Sequence, residues 1–228
     1  MSRPAPGDPA RHAVEKGNSV SRPAPRRTET GLLVLHALRC VGHAGLTRVA
    51  AATGMDESEV ESELIDLAVA GLVTHLADGF NVWGPTDAGR VADAEWITDE
   101  LESGGARPAV TAAYERFLVL NPELLDLCTA WQLRPIDGVM TVNDHSDPAY
   151  DTRVLDRFSA LDQRAAVVCA ELAAALPRFG RYRTRLTEAL DRAHSGELEY
   201  VADHVAASYH TVWAQLHEDL LATLGIPR

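Results

Sequence analysis

Cysteine is scarce in this sequence, and its spacing excludes the sites that cysteine usually builds. Cys40, Cys128 and Cys169 are the three cysteines in 228 residues, and each stands far from the others in an apolar segment. None belongs to a CxxC pair or to the close Cys/His spacing that a zinc ion requires. The sequence therefore predicts three buried free thiols, no metal site and no cofactor.

Long apolar runs are also lacking. No stretch approaches the roughly 18 uninterrupted apolar residues of a membrane span, and the polar N-terminus has no apolar segment behind its first basic residues. We therefore expect a cytoplasmic protein that has no membrane partner. Lysine is nearly absent, since Lys16 stands against twenty arginines, and this composition is typical of a high-GC bacterial genome.

The net charge of −12 is unevenly distributed. Residues 1–29 contain six basic and three acidic residues, so the rest of the chain carries a net charge of −15. The sequence Arg-Pro-Ala-Pro occurs at both 3–6 and 22–25, and proline-rich polar segments favour an extended, unpacked chain. We predict a disordered basic arm over 1–28. The length of the remainder suits two globular domains.

The first predicted domain, over 29–103, begins with three helices. Apolar residues over 32–41 recur with the spacing of one amphipathic helix, which ends at glycine. A second, small-residue helix over 46–54 also ends at glycine, and Asp56 is expected to cap a third helix. Two short helices joined by a glycine-containing turn are typical of a helix-turn-helix.

A β-hairpin is predicted after these helices. Residues 72–77 and 80–86 flank Asp78-Gly79, a dipeptide that favours a type I′ turn. A further helix then opens at Thr86. A helix-turn-helix followed by a hairpin forms a winged helix-turn-helix domain. The predicted fold class is therefore mainly α, with a small β-hairpin wing in the first domain and an α-helical bundle as the second domain.

This order of elements resembles the winged helices of MarR-type bacterial transcriptional regulators over about residues 30–96. The resemblance implies a homodimer whose third helix enters the major groove of DNA and whose hairpin flanks the minor groove. The candidate DNA-binding residues are Ser58 and Ser62 on the third helix, Asn81 at the wing, and the cations Arg22, Arg26, Arg27 and Arg48.

The charge of this domain opposes DNA binding. Residues 30–96 contain three arginines against ten carboxylates, a net charge of −7, and the third helix begins Asp-Glu-Ser-Glu-Val-Glu-Ser-Glu. DNA affinity depends on cations near the phosphates, because neutralising the backbone releases counterions. Two functions therefore stay open: a DNA-binding regulator, or an interaction module that docks on a basic surface of a metabolic enzyme.

The second predicted domain is a helical bundle over 108–228, and 103–108 forms the boundary because glycine and proline interrupt the periodicity there. The first helix of the bundle is expected to stop at Asn121-Pro122. An irregular loop is predicted over 133–150, where prolines and polar residues cluster. A long helix that ends at Pro177 follows, and two further helices complete the bundle.

Segments of the whole chain over about 30–224 are similar to a winged-helix-plus-bundle region that accompanies actinobacterial phosphoenolpyruvate-utilising enzymes of the pyruvate phosphate dikinase type. The segments that carry this resemblance are 129–132, 143–151 and 208–220. It implies a regulatory or docking role beside a phosphotransfer enzyme. The glycine-rich phosphate loops of those enzymes are absent here, and no GxSxG elbow or acid/base dyad is recognisable. We therefore predict that the chain is not an enzyme.

Aromatic and polar residues of the bundle are predicted to line one small-ligand cavity. On the last helix, two histidines flank Trp213 at the edge of its apolar stripe. The alternative is that each histidine forms hydrogen bonds within the bundle and that the Asn-Asp-His run at 143–145 caps the next helix. The candidate ligand-binding residues are Trp131, Gln132, Asn143, Asp144, His145, Tyr150, His210, Trp213 and His217.

Overall fold

The computed structural model describes Met1 and residues 29–76, 81–203 and 207–227. The predicted arm over 1–28, with Arg22, Arg26 and Arg27, and the predicted turn at Asp78-Gly79 lie outside the described residues. Within them the fold is mainly helical, with two small antiparallel hairpins. No described helix combines the length and the apolar character that crossing a membrane would need.

The first half of the structure, residues 29–103, follows the predicted element order. Strands β1 and β2 pair antiparallel, with Val73 opposite Pro85. Ala44 exchanges both backbone hydrogen bonds with Trp83 of β2, so the hairpin is fixed to the segment between the first two helices. The elements are α1 (Glu29–Val41), α2 (Leu46–Thr53), α3 (Glu57–Val69), β1 (Val73–Leu76), β2 (Val82–Pro85) and α4 (Asp87–Ser103).

Local sequence explains most of these boundaries. Gly54 ends α2 in the left-handed region, at φ 76°, and its N–H donates to Ala50. The Thr86 hydroxyl accepts a hydrogen bond from the Gly89 N–H and so caps α4. A Cβ at Gly89 would lie 1.9 Å from the Leu72 carbonyl oxygen, so this helix start requires glycine. Asp56 precedes α3, but its side chain makes no capping hydrogen bond, contrary to expectation.

The second half, residues 107–227, is a helical bundle with one inserted hairpin. Its main helices are longer than predicted, and α5 packs along α6. The elements are α5 (Arg107–Gln132), β3 (Leu133–Ile136), β4 (Val139–Val142), α6 (Pro148–Ala175), a 3-10 turn (Pro177–Phe179), α7 (Gly180–His194), α8 (Glu199–Ala202) and α9 (Tyr209–Leu224).

Two predictions for this half are wrong. Helix α5 continues through Asn121-Pro122 instead of stopping there, because buried Leu120 and Leu124 place both sides of the proline in one packed stripe. The predicted irregular loop over 133–150 contains the β3–β4 hairpin. Asp137 and Gly138 both have positive φ, as a two-residue type I′ turn requires, so Asp-Gly was the local signal for this hairpin.

In the part of the chain that the structure describes, the buried apolar side chains form two clusters. One lies within α1 to β1 and the start of α4, and the other spans the bundle and includes Leu101 near the end of α4. Helix α4 therefore contributes to both clusters, and α9 packs against α1 and α4. Cys128 and Cys169 are buried and free as predicted, whereas Cys40 is only half-buried. The two halves thus share a continuous interface.

Candidate functional site

A cluster of buried charged side chains joins the two halves, and its centre is Asp219 on α9. The Asp219 side chain is fully buried and accepts hydrogen bonds with both of its oxygens. Oδ1 accepts from Arg178 Nη1 at 2.5 Å and from His36 Nε2 at 3.0 Å. Oδ2 accepts from Arg181 Nη2 at 2.8 Å and from the Tyr182 hydroxyl at 2.9 Å. We call these five residues, with Asp93 and Glu100, the junction network.

His36 carries the network into the first half. Its Nε2 meets Asp219, and its Nδ1 lies 2.9 Å from Asp93 Oδ1 on α4. Burial alone would lower the pKa of His36, but the Cys40 sulfur and the negative charges of Asp219 and Asp93 outweigh it and raise this pKa well above its usual value. Both ring nitrogens lie within 3.0 Å of a carboxylate oxygen, so the geometry is that of a doubly protonated ring that donates to Asp93 and Asp219.

Arg178 closes the other side of the network. Its Nε donates to Glu100 on α4 at 2.7 Å, and its Nη2 donates to Thr223 at 2.6 Å. Burial would raise the pKa of Asp219, but Arg178 and His36 hold that pKa well below its usual value. The network therefore holds buried opposite charges against one another across the interface between the halves.

Within the described residues, the nearest approach to a metal site also lies here, but its chemistry does not suit a cation. His36, Cys40 and Asp219 place their ligand atoms within 4.8 Å of one another. Both His36 nitrogens already face carboxylates, and two guanidinium groups contact the Asp219 carboxylate. The positive charge of Arg178 would repel a cation placed among these three residues. Arg178 would also compete with that cation for the Asp219 carboxylate. We therefore interpret the cluster as an ion-pair network.

Sequence reasoning missed this network, although one signal was present. Asp219 and Thr223 continue the buried stripe of Val212 and Leu216 at helical spacing, so a carboxylate occupies a core position of α9. A carboxylate at such a position requires a buried partner. The sequence alone does not show that the partner is His36, because the two residues are separated by 183 positions.

Four of the predicted ligand-binding residues do lie together. Trp131, Gln132, Asn143 and His145 line a cavity of about 420 Å³ beside α8. Asn143 donates to the Trp131 carbonyl and to Asp151 Oδ1, and His145 Nδ1 lies 3.0 Å from Asp151 Oδ2. Asn143 and His145 therefore have hydrogen-bond partners within the bundle, which is one part of the alternative interpretation. Their role in ligand binding stays a prediction.

Two further members of that set have other roles in the structure. The Asp144 side chain is exposed and accepts hydrogen bonds from Arg134 and Ser146. The Tyr150 hydroxyl donates to the Ala130 and Leu133 carbonyls at the end of α5. Asp147, rather than the Asn-Asp-His run, caps α6 by accepting from the Tyr150 N–H.

The cavity that Trp131 lines does not include His210, Trp213 or His217 among its lining residues, so the structure does not bring the whole predicted set together there. The Trp213 ring stacks on Phe117 at 4.6 Å, and its Nε1 donates to Asn121. His217 also packs against Phe117, while His210 is half-buried in the first turn of α9. Asn121 and Phe117 precede Trp131 by 10 and 14 residues on α5, which separates the two groups by about 15 to 20 Å.

The predicted DNA-contacting side chains are exposed, and so are many carboxylates beside them. Ser58 and Ser62 lie on α3, and Arg48 lies on α2. Asn81, just before β2, accepts a hydrogen bond from His75 Nε2 with its Oδ1. Ile65 and Val69 are 50% and 68% exposed. We call the exposed side of α3 the acidic face, which consists of Glu57, Ser58, Glu59, Glu61, Ser62, Ile65, Asp66 and Val69.

Comparisons of the chain with protein-family models, with curated proteins and with solved structures found no match. The likeness to a MarR-type winged helix therefore depends on the order of α1, α2, α3, the first hairpin and α4 alone.

Proposed function

We propose that this chain is a regulatory protein of the MarR-like winged-helix type. Its first half docks on a macromolecule, and its helical second half controls how the first half is held. The contact of His36 with Asp219 carries this proposal, because it links α1 and α9 through buried charges. Buried charges are stable only while they face their partners. A ligand or partner that displaces α9 therefore also acts on α1.

The acidic face favours a protein as that macromolecule. Four carboxylates on the exposed side of α3 would repel DNA phosphates, whereas they complement a basic protein surface. The exposed Ile65 and Val69 add an apolar patch in the C-terminal half of the same helix. Protein interfaces usually combine apolar contacts with charged and polar ones at their rim. The favoured partner thus has a basic, partly apolar surface, and a metabolic enzyme is our candidate.

Neutralising the acidic face is expected to weaken docking. We expect Glu57→Gln with Glu61→Gln to reduce the affinity for a co-purified partner by about tenfold at low salt, and by less at high salt. The measurement is co-purification of the tagged full chain from its host, followed by titration with the purified partner. Glu115→Gln with Asp126→Asn, two exposed carboxylates on α5, is the matched control. Isolation without any stoichiometric partner would contradict the proposal.

DNA is the second candidate, because the element order is that of a winged helix and Arg48, Ser58, Ser62 and Asn81 are all exposed. A gel shift on the upstream region of the chain's own gene is then expected to weaken steeply with salt. Arg48→Ala, or alanines at the arm arginines, would reduce it further. Glu57→Gln with Glu61→Gln would strengthen it, the opposite of the effect on a basic protein.

The DNA candidate also requires a homodimer, since two half-sites need two copies of α3. Light scattering of the purified chain measures this directly. The absence of any shift at low salt, on every upstream fragment, would remove this candidate and leave the protein partner.

A further inference from the structure

A second cavity, of about 470 Å³, lies between α2 of the first half and α7 and α8 of the second half. It is lined by several basic side chains, although the chain as a whole is acidic. Small residues of α2 leave its other wall open. The lining residues that matter here are Arg181, Arg185 and Arg192 on α7, Ala51 on α2, and Tyr200 on α8.

Arg185 is not held by an ion pair in this wall, although the Glu188 carboxylate also lines the cavity. Its Nη2 donates to the side-chain oxygen of Gln215, a neutral residue, at 2.6 Å. Its Nη1 is buried without an acceptor. Among the described residues, no carboxylate lies within 4.0 Å of its guanidinium nitrogens. Burial lowers the pKa of Arg185 to about 10, so the group still carries its charge at neutral pH. The wall therefore holds a buried cation whose charge Glu188 offsets only in part, without a direct ion pair.

Arg181 is only partly satisfied as well. Its side chain is 8% exposed, and its Nη2 donates to Asp219, but Nε and Nη1 are buried without an acceptor. The charge of Asp219 is already shared with Arg178 and His36. Three buried nitrogens in two neighbouring side chains thus lack a hydrogen-bond acceptor. Buried polar groups in proteins rarely remain so.

We propose that this cavity binds the oxyanion of a small polar molecule, a phosphate or a carboxylate group, with Arg185 and Arg181 as its cationic ligands. Guanidinium groups bind such oxyanions through paired charge-assisted hydrogen bonds. The volume is that of a site for a small metabolite. For the oxyanion to bind, the two guanidinium groups must turn so that their unpaired N–H bonds face the cavity.

The position of the cavity suggests what the oxyanion does. One wall belongs to α2 of the first half, and Arg181 in the other wall contacts Asp219 in the junction network. An anion at Arg181 competes with Asp219 for the same guanidinium group. The ligand would therefore act on both halves at once. This regulatory effect depends on the proposed function, but binding of the oxyanion does not.

Thermal unfolding of the full chain tests the site with inorganic phosphate and, separately, with succinate. At about 20 mM of either salt, a millimolar dissociation constant raises Tm by about 3 to 6 °C over sodium chloride of equal ionic strength. Arg185→Gln removes the rise. Ala51→Leu, which fills the cavity from the exposed side of α2 and leaves the arginines intact, also removes it. Arg157→Gln, an exposed arginine on α6, retains it.

A rise with phosphate alone, or with succinate alone, supports the site and identifies the oxyanion. Three outcomes would overturn the proposed site and indicate an adventitious ion only. They are an equal rise in Tm with sodium chloride, no rise with either probe, and an undiminished rise in Ala51→Leu. A rise that leaves docking of the partner unchanged would keep the site and overturn its regulatory role. Docking of the partner without any rise in Tm would overturn the oxyanion site and keep the proposed function.

Discussion

Asp219→Asn is expected to lower the free energy of unfolding by about 3 to 5 kcal/mol, the largest loss that we predict for a single substitution. Asparagine keeps the shape of the side chain but removes the negative charge that His36, Arg178 and Arg181 share. Those three groups are buried and cannot recover their hydration without opening the interface. Chemical denaturation followed by circular dichroism measures the change.

A matched variant separates this effect from a general effect of amidation. Asp126→Asn alters an exposed aspartate on α5 and is expected to change the free energy of unfolding by less than about 0.5 kcal/mol. Because the network lies between the halves, hydrogen exchange in α1 and α9 should also accelerate in Asp219→Asn. A loss below about 1 kcal/mol, with unchanged exchange, would show that the network does not hold the halves together.

The helices of the first half were accessible from sequence because their signals are local. Glycines at 42, 54 and 71 stop or follow helices, and Thr86 with Gly89 opens α4. The same local rules failed at Pro122, where the packing of neighbouring leucines outweighs the missing hydrogen bond. The β3–β4 hairpin was missed although Asp137-Gly138 signalled it, because its strands are only four residues long and mostly exposed.

The two candidate sites were less accessible, because each depends on contacts between residues that are distant in sequence. The periodicity of α9 places Asp219 in the core, but nothing local pairs it with His36 or Arg178. From the sequence alone, α7 has the pattern of an ordinary charged helix, because the sequence does not show that Arg185 faces the neutral Gln215. Burial and the identity of the partner, which only the fold supplies, distinguish these residues from other charged residues.

The free energy of unfolding is expected to fall as the pH rises from about 6.5 to 8. The folded state raises the pKa of His36 well above its ordinary value. Below about 6.5 both states hold the proton and the stabilisation is complete. Above it the unfolded state loses the proton first, so stability declines by up to about 1.4 kcal/mol per pH unit until the folded pKa is passed.

The pH range assigned to His36 ends near pH 8, because ionisation of the cysteines adds to the decline in the free energy of unfolding above that pH. Burial raises the pKa of Cys128 to about 12 and that of Cys169 to about 11, so their thiols ionise in the unfolded state first.

Asp219 sets the stability at low pH. Its pKa is held well below the ordinary value, so its contribution is present above about pH 4 and is lost as the pH falls further. Maximal stability is therefore expected between about pH 4 and 6.5.

Denaturation curves at intervals from about pH 5 to 8 measure this slope. His36→Gln is expected to be less stable at every pH, because it leaves Asp93 and Asp219 without the imidazolium, and to lose the slope between about 6.5 and 8. His194→Gln, which alters an exposed histidine on α7, should retain it. A flat profile in the unsubstituted chain would mean that His36 is neutral in the fold. The contact between the halves would then be a hydrogen bond to Asp219 without the positive charge that the network assigns to it.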